Sequence, residues 1–125
     1  DHKPVENTKF LGQPQSQYEK KNWSSVMLFN CSKCKTLTPE YVNTATGLEL
    51  HRFKWLDSDE LIGEIPHKWN HLAGYDKKMP VSDLANIHYT SGGPYFNEYN
   101  NSDYADEWFR EQSEMLRCDQ QKKHS

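Results

Sequence analysis

No hydrophobic run in the chain approaches the roughly 20 residues that a membrane-spanning helix needs. No leader-like pattern is present either, so neither a membrane span nor secretion is expected. Cysteine is scarce, with Cys31, Cys34 and Cys118 making an odd total of three. That number cannot close a complete disulfide framework, and it fits a reducing, cytoplasmic setting. Charge of one sign is not in excess: 15 Lys and Arg face 18 Asp and Glu, a net charge of -3. Without a basic surplus, a general nucleic-acid binder is excluded. Hydrophobic residues make up only 34%, which is meagre for a self-sufficient core. The 13% share of aromatic residues compensates in part, because each buried ring removes a large area from water. At 125 residues there is room for one small domain.

Along the chain, residues 1–22 are polar and broken by Pro4, Gly12 and Pro14, which predicts an extended arm. Trp23 to Cys31 is the most apolar run, and its Val26-Met27-Leu28-Phe29 centre predicts a strand buried on both faces. Thr38-Pro39-Glu40 has the order of a helix start: capping hydroxyl, proline at the first helical position, then an acid. This helix should end before Gly47, with a second helical or irregular piece from Leu48 to Leu56. A second short strand is expected over Leu84 to Thr90. Asp103 to Lys123 spaces Tyr104, Trp108, Met115 and Leu116 as an amphipathic helix would, with a frayed end. These elements divide the chain into an arm (1–22), a body (23–110) and a helical tail (111–125). The fold class is mixed α/β, with few short strands flanked by helices and long loops.

The segment richest in chemistry is Ile87-His88-Tyr89-Thr90-Ser91-Gly92-Gly93-Pro94-Tyr95-Phe96. Gly92 and Gly93 would let the backbone approach an anion and turn N–H groups toward it. His88 can ligate a divalent metal or donate to a phosphate oxygen. The competing reading is a strand entering a Gly-Gly-Pro turn, with the aromatics serving as core. Cys31-Ser32-Lys33-Cys34 has the spacing of half a zinc site. A structural zinc needs four ligands, and only Cys118 and the scattered His2, His51, His67, His71 and His124 could complete it. Asn22-Trp23-Ser24 and Asn30-Cys31-Ser32 match the glycosylation sequon, but the predicted buried strand argues against their use.

Several ordered segments resemble bacterial and phage-borne glycosyltransferases of the GT-A type. They are Lys21–Cys31, Leu37–Asn43, His51–Leu56, Ile62–Pro66, Trp69–Leu72 and His88–Phe96. More distantly, the order of segments is similar to glycogenin-type nucleotide-sugar transferases. The resemblance covers about His2 to Trp108 and implies the C-terminal, acceptor-side half of such an enzyme. The nucleotide-binding half, with its metal-holding Asp-x-Asp motif, would then lie elsewhere.

The resemblance implies metal-dependent sugar transfer from a nucleotide-sugar to a glycan or lipid-linked acceptor, with Mn²⁺ or Mg²⁺ as cofactor. His88 would be a metal ligand, and Gly92 and Gly93 would contact the diphosphate. Ser24 and Ser25 would bind donor hydroxyls, while Trp69 and Asn70 would floor the acceptor site. Asp57-Ser58-Asp59 matches Asp-x-Asp literally but falls where Asp59 and Glu60 would face the acceptor as catalytic groups. Read from the residues alone, the same acids form a solvated loop capping the next turn. The turn lacks the lysine that many glycogenin-type enzymes place before its proline. Alone, the chain would lack most of the nucleotide pocket and the main electrostatic stabilisation of the leaving group. The alternative is a non-catalytic half-domain that self-associates or pairs with a complementary chain.

Overall fold

The computed structural model describes residues 19–122, with side chains through Cys118. Three α-helices and one two-stranded sheet stand among the described residues: α1 (Pro39–Thr44), α2 (Gly47–His51), β1 (His71–Leu72), β2 (Ile87–His88) and α3 (Ala105–Lys122). The expected mixed α/β class is borne out at that level. The chain divides into two compact units, Asp1–Pro66 and His67–Ser125.

In the first unit the helix-start reading holds. Thr38 Oγ1 accepts from the Tyr41 N–H at 3.2 Å, and Pro39 opens α1. Thr46 and Glu49 form a reciprocal capping box at α2, each satisfying a backbone donor of the other. The exit of α2 is less ordinary. Phe53 N–H bonds Leu50 C=O and Lys54 N–H bonds Glu49 C=O, the two bonds of a Schellman motif. Its left-handed residue, usually glycine, is Phe53 at φ 57°. The strain is offset because the ring is buried edge-on against Trp55, 6.1 Å between centroids.

The strand expected over Trp23 to Cys31 does not form. Asn22 adopts φ 68°, which throws Trp23–Ser25 into a single 3₁₀ turn. Beyond it Val26 is extended, but residues 26–30 pair with no strand among the described residues, and Leu28 is 88% exposed. An apolar run alone does not make a strand, because the ladder needs a partner edge. Val26 is half-buried, and Phe29, still 38% exposed, stacks on Trp55 at 6.0 Å. Of the expected arm, residues 1–18 lie outside the described residues. Lys20 and Lys21 are buried.

In the second unit β1 and β2 run parallel, His71 opposite Ile87 and Leu72 opposite His88. The sequence reading placed β2 within Leu84 to Thr90 but did not anticipate β1, whose two residues are too few for any period. Gly74 at φ 79° turns the chain after β1. α3 forms as expected and runs without interruption through residues 110 and 111. Tyr104 lies just outside it, at φ 63°. No helix among the described residues is long and apolar enough to cross a membrane.

The Gly92-Gly93 pair is explained by aromatic packing. A Cβ on Gly92 would lie 2.5 Å from the Tyr99 ring, and one on Gly93 would collide with the ring of Tyr95. Tyr95 in turn packs on Phe96 at 4.3 Å and on Trp108 at 5.4 Å. Neither glycine uses a positive φ. Gly92→Ala should therefore cost about 1–3 kcal/mol of unfolding free energy, by overpacking. Gly63→Ala, with nothing within 4 Å of the new methyl, should stay within about 0.5 kcal/mol of the parent. Urea denaturation followed by circular dichroism compares the two, and equal losses would remove the packing explanation.

Candidate metal centre

The densest polar cluster lies where the loop after β1 folds back on its strand. Asp76 Oδ2 accepts from the Leu72 N–H at 2.7 Å and meets His67 Nε2 at 2.7 Å. His71 Nδ1 stands 3.8 Å from the same oxygen, too far for a hydrogen bond. One ligand atom from each of these three residues lies within 4.8 Å of the others. Burial pushes the Asp76 carboxyl up, but the Leu72 N–H, His67 and His71 together outweigh it and hold the group below its ordinary value. His71 is only 1% exposed, whereas His67 is open to solvent.

The other side of His71 rests on Tyr104. The phenol oxygen lies 3.0 Å from His71 Nε2, accepts from the Met79 N–H at 2.9 Å and donates to the Met79 C=O at 3.1 Å. When that proton goes to the carbonyl, His71 Nε2 is the donor to the phenol oxygen. In that tautomer the lone pair of His71 is on Nδ1, 3.8 Å from the Asp76 carboxylate. Tyr104 holds this position from a left-handed backbone conformation, costly for a bulky residue. Three bonds fix it there. Tyr89 Oη donates to the Tyr104 C=O at 2.8 Å, and that carbonyl also accepts from the Glu107 and Trp108 N–H groups that open α3. Burial, and then the Glu107 carboxylate, push the Tyr89 phenol up, which keeps it a neutral donor.

The residues singled out from sequence are placed as follows. His88 is half-buried, and its Nδ1 contacts Asn70 Oδ1 at 3.1 Å, so two expected site residues do meet. His88 is not part of the His67–His71–Asp76 cluster. Trp69 is 46% exposed, and its carbonyl accepts from Asn86 Nδ2. Gly92 and Gly93 are packed against the rings of Tyr99 and Tyr95. In the first unit, Ser24 Oγ lies 2.5 Å from His51 Nδ1, and Ser25 is exposed. Asp59 pairs with Lys20 Nζ at 2.5 Å, while Glu60 is exposed and its N–H is capped by Ser58 Oγ. The three cysteines are free thiols, and none joins a metal-capable cluster among the described residues. Sequence reasoning met His67 and His71 as scattered partners for the Cys31–Cys34 pair, His71 also within the Trp69–Leu72 segment, and passed over Asp76. Their spacing of four was a usable signal, but the turn that returns Asp76 to them was not visible.

Comparisons with known proteins are sparse. The chain is 48% identical over 119 residues to Protein CDI of Arabidopsis thaliana, a match that covers 91% of this chain. It spans 46% of that protein, so the relative is about twice as long. No family model matches the chain, and no solved structure does. These findings correct the expected kinship with bacterial and phage-borne glycosyltransferases: the similarity lies in a plant protein of another name, and no transferase family matches. Short motifs such as Trp-Asn or Gly-Gly-Pro recur wherever strands end in tight turns, so their order alone carried too little information.

Two outcomes follow from the geometry. Tyr104→Phe leaves both polar groups of Met79 and Nε2 of His71 without their partner, and unfolding free energy should drop by about 1–3 kcal/mol. Chemical denaturation measures it. Lys20 holds the Asp59 carboxyl below its ordinary value through their hydrogen bond, with desolvation opposing. A depressed folded pKa contributes stability above the unfolded value of about 3.9, lost as pH falls through the folded value. Asp59→Asn should thus lower the thermal midpoint at neutral pH and converge with the parent in strong acid.

Proposed function

We propose that this chain works as one part of a longer α/β protein, where it supplies two strands of a parallel sheet and the loops after them. It acts by pairing with the remaining part or with another chain, and not as an independent catalyst. The observation that supports this is the β1–β2 pair itself. Parallel sheets belong almost entirely to folds in which several strands are covered on both faces. Two strands of two residues each fall far short of independent stability. Among the described residues neither strand has a second neighbour.

Uncovered apolar surface in the same unit agrees with this reading. Between residues 81–89 and α3 lies an open groove of about 710 Å³, lined in part by Val81, Leu84, Ile87, Trp108 and Met115. Met115 and Leu116 on α3 are 58% and 52% exposed. Large exposed apolar groups side by side mark a surface built to be covered. A relative about twice as long is consistent with a covering segment in the same polypeptide. In such sheets ligands sit beyond the carboxyl ends of the strands. Residues 73–76 and 89–93 would then contribute one wall of a ligand crevice, and the covering part would contribute the other.

Sedimentation equilibrium and dye binding test the proposal on the purified chain. Self-association at micromolar concentration, together with strong binding of an apolar-surface dye, is expected. A monodisperse monomer that binds no dye and unfolds in one cooperative step would overturn it.

A further inference from the structure

We propose that His67 Nε2, His71 Nδ1 and the Asp76 carboxylate form a site for a transition-metal ion of the zinc type, with a fourth position open to solvent. Two imidazoles and one carboxylate are a ligand set that such ions take readily. Hard ions such as Mg²⁺ or Ca²⁺ ask for about six oxygens, which this cluster does not offer. The proposed chemistry therefore differs from the Mn²⁺ or Mg²⁺ expected from sequence, and the site excludes His88.

Three features of the structure converge on it. The first is the tautomer of His71. In the tautomer that gives Nε2–H to Tyr104, Nδ1 carries the lone pair, 3.8 Å from the anionic Asp76 oxygen in an almost fully buried setting. Two electron-rich groups facing each other without a proton between them repel, and a cation in the gap turns that repulsion into two bonds. Zinc bonds of about 2.0–2.1 Å place tetrahedral ligand atoms roughly 3.3 Å apart, so the 3.8 Å gap needs to close only slightly. The 2.7 Å contact of His67 with Asp76 opens by a similar amount, as His67 gives up its hydrogen bond to present a lone pair.

The second feature is an outer shell already in place. Metal-bound histidines donate their other N–H to a fixed acceptor, and ligating carboxylates are themselves hydrogen-bonded. His71 donates to the Tyr104 oxygen, and Asp76 accepts from the Leu72 N–H. The third is the strain at Tyr104. A tyrosine at φ 63° is held where its phenol meets both His71 and Met79, so the fold spends backbone energy to orient this one imidazole. Access comes from the His67 side, whose side chain is 69% exposed and leaves the outer face to water.

The test uses the full chain with Cys31, Cys34 and Cys118 changed to serine, so that thiols cannot supply the signal. Zinc chloride titrated by calorimetry should bind one ion per chain with micromolar or tighter affinity. Cobalt(II) in its place should give the intense visible bands of a four-coordinate ion, and zinc should displace them. His67→Ala, at an exposed position that leaves the fold intact, should weaken binding by more than about tenfold, and Asp76→Asn likewise. Absence of zinc binding up to millimolar concentration would overturn the proposal. Affinity in His67→Ala and Asp76→Asn equal to that of the parent would overturn it as well. Self-association plays no part in these readouts, so failure here is distinguishable from failure of the half-domain reading.

Discussion

The second unit depends on the hydroxyl of Tyr104. One oxygen holds both backbone groups of Met79 and the buried ring of His71, while the carbonyl of the same residue starts α3. β1, the loop at residue 79 and the long helix are thus tied together at a single residue. The tie requires a backbone conformation that tyrosine disfavours, and Tyr89 supports it by donating to the carbonyl. Hydrophobic burial near this hub is modest: Leu72, Ala73, Pro94, Tyr104 and Ala105 are the buried apolar residues of the unit among those described. Polar geometry therefore specifies more of this unit than its core volume does.

The first unit uses the opposite economy. Its helices are short and locally capped, with little dependence on distant contacts. What draws residues 19–29 toward residues 52–59 is a small set of pairs: Lys20 to Asp59 and to the Arg52 carbonyl, Arg52 to Glu19, and Phe29 on Trp55. Ion pairs in which one partner is solvent-exposed, as Asp59 and Glu19 are, contribute little each. The two large buried side chains, Phe53 and Trp55, carry most of the cohesion. Leu28 and Leu61 remain 88% and 65% exposed, so apolar surface is left uncovered here too.

The resemblance to glycosyltransferases shows how local motifs mislead. Gly92 and Gly93 suit a phosphate cradle by composition, yet their open sides are filled by Tyr99 and Tyr95. Asp57-Ser58-Asp59 suits a metal motif by spelling, yet Asp59 pairs with Lys20. The group able to offer three ligand atoms to a metal ion is spread over residues 67, 71 and 76 with no recognised spelling. Each disagreement arises because a motif specifies which groups are available, while the packing around it specifies what they touch.

Local chemistry was legible from the sequence. The cap at Thr38, the proline at the start of α1, the stop before Gly47 and the periodicity of α3 all follow from contacts within a few residues. The mixed α/β class followed from the same signals. Tertiary structure alone decided which apolar run becomes a strand, because pairing needs an edge that the run itself does not contain. It alone decided that Phe53 and Tyr104 take left-handed backbone conformations, since the compensation lies in burial and in bonds to residues far along the chain. The meeting of His67, His71 and Asp76 is likewise a product of the loop's return onto β1, and no spacing rule encodes that return.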